Sequence, residues 1–312
     1  MSKPLDGTPV ANAAVPADGS AVVRTPSAWA DYLQLTKPRL NLLVVLTTLA
    51  GYYLGMDDTS EAATLVHTVA GTTLVAGGAS VLNQLWEIDT DRLMHRTRKR
   101  PLPDARLSPR PALWFGVVLV ALGLAQLWVY ANPLAASVAF ATVLSYIVVY
   151  TPLKRVSSLS TIVGAVPGAL PPLIGWAAAT NTLSLGGWVL FGIVFLWQMP
   201  HFLAIAWMHR DDYAKAGMPL LPVIEPDGRS TGRQAVLFAA ATIPVSLLPT
   251  VIGLAGPRYL AAAIVLGVIV LWLAFEFAAT RTHASARRLF FATIMYLPLL
   301  WGALVADHAA RM

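Results

Sequence analysis

Apolar stretches close to the length of a membrane-crossing helix recur along this chain, and no other feature restricts its fold as strongly. They fall at roughly 40–57, 64–86, 112–130, 134–151, 159–179, 186–208, 235–254, 259–279 and 289–307. A helix of about 20 residues spans the ~30 Å hydrocarbon core of a bilayer. That core offers no water to bond backbone groups, so each run must close its own hydrogen bonds as a helix. The expectation is an all-α, polytopic membrane protein of nine transmembrane helices, with no room for a large soluble domain. Composition agrees. The 312 residues are 56% hydrophobic and 12% charged, where soluble domains carry about 25% charge. The chain has no cysteine. That excludes disulfides, thiolate catalysis, haem-thiolate ligation, Cys-based zinc sites and iron–sulfur clusters.

Residues 1–35 are rich in Ala, Pro, Gly, Ser and Asp without a period. This predicts a disordered cytoplasmic tail, followed by a transmembrane domain at 36–312. The tail lacks a basic start, an apolar run and a small-residue cleavage site, so no secretory signal is expected. Lys and Arg mark the cytoplasmic side of a membrane protein. With nine spans, every Lys and Arg except Arg258 and Arg311 falls on one side. The N-terminus is therefore expected in the cytoplasm and the C-terminus outside. An odd number of spans does not divide into the two inverted halves common among transporters. The net charge of +6 is clustered in the inside loops. Such clustering concerns membrane orientation and anionic ligands rather than nucleic acid.

Two of those inside loops carry candidate chemistry. The first follows the second span and holds Asn83, Glu87 and Asp91, spaced by four. On a helix these three form one stripe, while Asp89 points elsewhere. Two carboxylates and an amide oxygen suit a hard cation such as Mg²⁺, which completes its shell with water and phosphate oxygens. Arg96, Arg98, Lys99 and Arg100 follow, and guanidinium forks match phosphate geometry. Metal-binding acids beside arginines are what a diphosphate requires. The same residues also read as interfacial salt bridges and positive-inside anchors. The second loop runs from His201 to Gly217 and contains Asp211 and Asp212, again at the end of an apolar helix. Two acidic helix ends on one membrane face could share a ligand through bridging metals, or be solvated interfacial turns. Lys154 and Arg155 read as phosphate ligands or as anchors. His201 follows Pro200, where a helix kinks and frees backbone groups. It reads as a haem ligand, a proton acceptor or a hydrogen-bonded structural histidine. Glu276 is costly inside a span, and a structural ion pair near the Arg281 turn is expected for it.

These residues resemble the intramembrane UbiA-type prenyltransferases. Asn83-x-x-x-Glu87-x-x-x-Asp91 is similar to that superfamily's first acidic motif, Asn-x-x-x-Asp-x-x-x-Asp. The stretch from Asp211-Asp212 to Gly217 is similar to the second. Further blocks look like the protohaem IX farnesyltransferase (haem O synthase) branch: Leu35 to Arg39, Arg96 to Leu102, Tyr150 to Arg155, Gly164 to Trp176, Gln198 to Phe202, and Asp212 to Val223. The resemblance covers about residues 30–305. Two departures stand out. Glu87 replaces the usual Asp, which keeps the charge and adds a methylene. Met208 stands where relatives with aromatic acceptors carry another Asp, which leaves the second motif lopsided.

The resemblance implies a helical bundle around a central cavity, in the inner membrane of a bacterial cell. It implies farnesyl diphosphate and haem b as substrates and haem O as the product, on the way to haem A. Mg²⁺, or Mn²⁺, would sit on Glu87 and Asp91 with Asp211 and Asp212, oriented by Asn83. Asn83, Glu87, Asp91 and Asp212 would form the catalytic set. Arg96, Arg100, Lys154, Arg155 and Lys37 would clamp the diphosphate, and His201 would contact haem iron or a propionate. Haem A synthase is the implied downstream partner. The alternatives are a quinone-precursor or chlorophyll-type acceptor, a haem-binding scaffold without catalysis, and a polytopic transporter. A transporter predicts acids or helix breaks near the mid-membrane in paired helices, whereas these acids cluster at one surface.

Overall fold

The computed structural model describes residues 27–57 and 61–311, and within them helices and short turns account for the chain, without a β-strand. In order they are α1 (Ala28–Leu35), α2 (Pro38–Gly55), α3 (Ala62–Trp86), α4 (Ile88–Leu93), α5 (Pro109–Tyr130) and α6 (Pro133–Leu144). A π-helical turn, Ser145–Tyr150, leads into α7 (Thr151–Leu153), α8 (Ser160–Ala169), α9 (Pro171–Thr180) and α10 (Leu185–Met208). Then come α11 (Arg210–Lys215), α12 (Leu221–Ile224), α13 (Arg229–Val251), α14 (Pro257–Thr280) and α15 (His283–Ala309). Proline begins α2, α5, α6, α9 and α14, where its missing N–H has no helical partner to lose. Asn132 caps α6 by accepting from Ala135 N at 2.8 Å, and Thr282 and Ser285 form a reciprocal capping box on α15.

Eight segments are long and apolar enough to cross a membrane, against the nine expected. The difference is α2, 18 residues long with Arg39 and Asn41 near its start. It still lies in the bundle, against α9. Their crossing brings backbone against backbone. A Cβ on Gly175 would strike the Thr48 carbonyl, and one on Gly51 the Pro172 carbonyl. Thr48 Oγ1 adds a hydrogen bond to Pro171 O at 3.1 Å. Lipid tails are as apolar as leucine, so helices in a bilayer associate through such close approach rather than through hydrophobic drive. Large apolar side chains such as Val265, Val268, Trp272 and Phe275 on α14 point outward. That is the pattern of a lipid-facing surface.

Most of the expected disordered tail, residues 1–26, lies outside the described residues, but its final stretch is the helix α1. The correction has a clear cause. Ser27 caps the helix, buried Asp31 pairs with Arg106 at 2.8 Å, and Tyr32 meets Phe115 edge-on with ring centroids 5.0 Å apart. Glu276 does form an ion pair, but with Arg288 at 2.6 Å rather than at the Arg281 turn.

Candidate active site

A cavity of about 780 Å³, its open mouth included, lies at the end of the bundle that carries the 94–108 and 210–220 segments. The three residues of the first motif line it. α3 ends at Trp86 and α4 starts at Ile88, so the helix breaks at Glu87, which the regular spacing did not suggest. The hydrogen bonds Glu87 N to Asn83 O (3.2 Å) and Asp91 N to Glu87 O (2.7 Å) bridge the break. The stripe therefore survives it, and all three side chains reach one space.

Each of the three meets a cation. Lys37 Nζ donates to Asn83 Oδ1 at 3.2 Å, Lys154 Nζ to Glu87 Oε1 at 2.7 Å, and Arg100 Nη1 to Asp91 Oδ2 at 2.7 Å. Asn83 also donates to Thr151 Oγ1 at 3.1 Å, which fixes which way its amide faces. Lys37 reaches the site from a left-handed backbone conformation, φ 49° and ψ 56°, immediately before Pro38. A non-glycine residue held there is strained, and such strain persists only where the surroundings enforce it.

Burial and neighbours push the four titratable groups in different directions. Burial raises Glu87, but Lys154, Lys37 and Arg100 outweigh it and hold the carboxyl below its usual range. Burial dominates for Asp91 and raises it, against the pull of Arg100. Lys37 is lowered to about 8, by burial first and then by Arg100 and Lys154. Burial opposes charge on Lys154 too, yet Tyr150 and Glu87 raise it well above its normal value.

A metal ion would fit this donor set. Asp91 Oδ1 is buried and has no hydrogen-bond partner, so one carboxylate lone pair is free beside Glu87 and the Asn83 amide. Among the described residues, no three His, Cys, Asp or Glu side chains form a metal-binding group. An ion held by Glu87, Asp91 and Asn83 would take its remaining ligands from water and a bound diphosphate, as Mg²⁺ commonly does.

Not every expected site residue arrives here. Arg96, Arg100, Lys154 and Lys37 line the cavity; Arg155 does not. Its guanidinium instead donates to Trp86 O at 2.7 Å and ties down the end of α3. Asp212 sits outside the lining, where its Oδ2 accepts from Arg96 N at 3.4 Å. Asp211 faces solvent with 89% of its side chain exposed, which argues against it as a metal ligand. Adjacent residues of a helix diverge by about 100°, and here Asp212 turns toward Arg96 while Asp211 turns to solvent. The second motif reaches the cavity instead through Tyr213, whose hydroxyl meets Arg96 Nη2 at 3.3 Å.

His201 does not line the cavity either. Its ring stacks on Trp197 and Phe290, with centroids 5.4 and 5.0 Å away, and its Nδ1 meets Thr293 Oγ1 at 2.9 Å. His201 thus joins α10 to α15 outside the cavity lining, and this geometry supports the structural reading of it rather than the haem-ligand one. His201→Ala is expected to lower stability by on the order of 2 kcal/mol through poorer packing, with haem KM unchanged. Thermal melting and haem titration of the variant check this.

Sequence reasoning missed the aromatic wall. Tyr146 and Tyr150, on the π-helical turn, line the cavity with centroids 5.6 Å apart, and Lys154 Nζ lies 4.5 Å from the Tyr150 ring centre. π-helical turns gather at functional sites. The available signal was two tyrosines four apart ahead of Thr151-Pro152. Among the described residues, none of those lining the cavity comes from α13, α14 or α15.

Known proteins share this architecture. Residues 44–300 match the UbiA prenyltransferase family. The chain is 46% identical over 287 residues to a protein of Solibacter usitatus named protoheme IX farnesyltransferase, covering 89% of this chain and 98% of that one. A structure of digeranylgeranylglyceryl phosphate synthase superposes with a TM-score of 0.76 at 16% identity, covering 90% and 99% of the two chains. A UbiA homolog from Archaeoglobus fulgidus, bound to GPP and Mg²⁺, superposes at 0.62 and 16% identity, covering 88% and 99%. With its acidic motif buried among cations at one end of a bundle of apolar helices, this chain is a multi-pass membrane enzyme and belongs to the UbiA prenyltransferase family.

Proposed function

We propose that this enzyme transfers the farnesyl group of farnesyl diphosphate to a vinyl group of haem b, with addition of water, to give haem O. The observation that carries the chemistry is the cavity in which Asn83, Glu87 and Asp91 each meet a cation. The choice of substrates rests on the name carried by relatives that align over nearly their whole length. A divalent ion, Mg²⁺ or Mn²⁺, would supply Lewis-acid stabilisation of the departing diphosphate. Lys37, Arg100 and Lys154 bind diphosphate oxygens and neutralise charge as the C1–O bond breaks, which is electrostatic catalysis of leaving-group departure. Arg96, held by Tyr213, stands at the mouth of the cavity. Tyr146, Tyr150 and Phe202 form a wall that keeps water from the allylic cation. The vinyl carbon of the haem bonds to C1, and water adds to the resulting haem-side cation and gives up a proton. The isoprenoid tail lies along apolar helices in the membrane.

The proposed setting is the inner membrane of a bacterial cell, with the N-terminus and the cavity on the cytoplasmic side and the C-terminus outside. The product would pass to haem A synthase. The test is mass spectrometry of haem after incubation of purified protein with haem b, farnesyl diphosphate and Mg²⁺. The expected result is a haem heavier by one farnesyl group and one hydroxyl group. Unmodified haem, with 4-hydroxybenzoate or chlorophyllide prenylated in its place, would falsify the choice of acceptor.

A further inference from the structure

One stretch of the cavity wall has no part in the reading above: the first turn of α8. Ser160 and Thr161 both line the cavity. They are the first two residues of the helix, so it is the start of α8 that borders the cavity. That end is the N-terminus, which carries the positive pole of the helix dipole and favours anions. Leu159, at the N-cap position, provides no side-chain cap.

A second and independent feature lies at the same place. Ser160 is 0% exposed, and its Oγ is buried without a hydrogen-bond partner. Buried hydroxyls are nearly always bonded, and leaving one unmade is costly. Of the cavity's own carboxylates, Glu87 is engaged by Lys154 and Asp91 Oδ2 by Arg100, and the remaining Asp91 Oδ1 is the oxygen assigned above to the metal ion. The acceptor that suits this hydroxyl is therefore an oxygen brought in by a ligand. Lys37, Arg100 and Lys154 line the same cavity, which favours an anion.

We propose that the Ser160 hydroxyl donates a hydrogen bond to a phosphate oxygen of the bound diphosphate, so that the start of α8 forms a diphosphate subsite. The proposal rests on the reaction proposed above and adds to it a binding residue outside both acidic motifs. A haem propionate has similar chemistry, and the test separates the two.

Full-length wild type and Ser160→Ala in detergent are titrated with inorganic pyrophosphate and Mg²⁺ by calorimetry, with KM for farnesyl diphosphate and for haem b measured alongside. Pyrophosphate affinity is expected to weaken about tenfold in Ser160→Ala, the scale of removing a hydrogen bond to a charged group. KM for farnesyl diphosphate should rise in parallel, while haem KM and ligand-free melting stay at wild-type values. Unchanged pyrophosphate affinity overturns the proposal. A rise confined to haem KM overturns it in favour of a propionate. If Ser160→Ala does not fold, Ser160→Cys, nearly isosteric and a much weaker donor, reads the same loss. Wild type that binds pyrophosphate but leaves haem unfarnesylated refutes the acceptor while the Ser160 comparison still stands.

Discussion

Asp91→Asn is expected to slow prenyl transfer by at least ~10²-fold, the scale of removing one electrostatic interaction from a transition state. The substitution keeps the shape of the side chain and removes its charge. Asp91 is 1% exposed, its Oδ2 accepts from Arg100 at 2.7 Å, and its Oδ1 is free of protein partners. An amide can still accept from Arg100, but it offers a divalent ion far less than a carboxylate does. Turnover should fall and the Mg²⁺ concentration needed for half-maximal rate should rise together. Asparagine fills the same volume but leaves Arg100 without its charge partner, so the melting temperature should fall as well and turnover is compared on folded protein. Near-normal turnover in correctly inserted Asp91→Asn protein would remove this residue from the metal site.

Lys154→Met has two expected effects. The ammonium is the hydrogen-bond partner of Glu87, and their side chains are 18% and 8% exposed. Removing one member of a buried ion pair strands the other, at a cost on the order of 3 kcal/mol. Diphosphate also loses one of its cations, so turnover should fall by roughly 10²-fold. The effects separate in a double variant. Glu87→Gln with Lys154→Met removes both charges and should recover most of the melting temperature while turnover stays low. Turnover in the double variant is lowered by the loss of Glu87 as well, so pyrophosphate affinity of the folded Lys154→Met protein decides the second effect: affinity equal to wild type would make Lys154 a structural partner of Glu87 and not a ligand of the substrate.

The bundle was legible because hydrophobic run length is dictated by bilayer thickness, and a run does not depend on what packs against it. The run at 40–57 does form a helix of the bundle, α2, but Arg39 and Asn41 dilute its start, so it falls outside the eight segments apolar enough to cross by composition and is held by the close approach of its backbone to α9. The first motif was legible because fourfold spacing survives the break at Glu87. Arg155 and Asp211 were misplaced for one reason. A sequence shows that a charge is near a site, but the direction of its side chain depends on the local helix phase, and Lys154 and Arg155 point to different partners. Tyr146 and Tyr150 were missed because tyrosines near span ends read as interfacial anchors. Only the tertiary arrangement turns them inward. The residues of α1 look like tail in composition, and Asp31 acquires its partner Arg106 from far along the chain.

The distribution of the cavity wall along the chain divides the molecule by labour. Among the described residues, everything that lines the cavity of the acidic motif is encoded before Leu221. The closing three long helices act as a buttress, linked to the reactive half chiefly through α10, where Trp197 donates to Thr293 O at 2.7 Å. During synthesis, the reactive half is complete in sequence before its buttress has been made. The outward surface of that buttress carries side chains such as Val265 and Trp272 that touch no part of the cavity, so apolar substitutions there are expected to leave turnover intact, provided that the seam along α10 is kept.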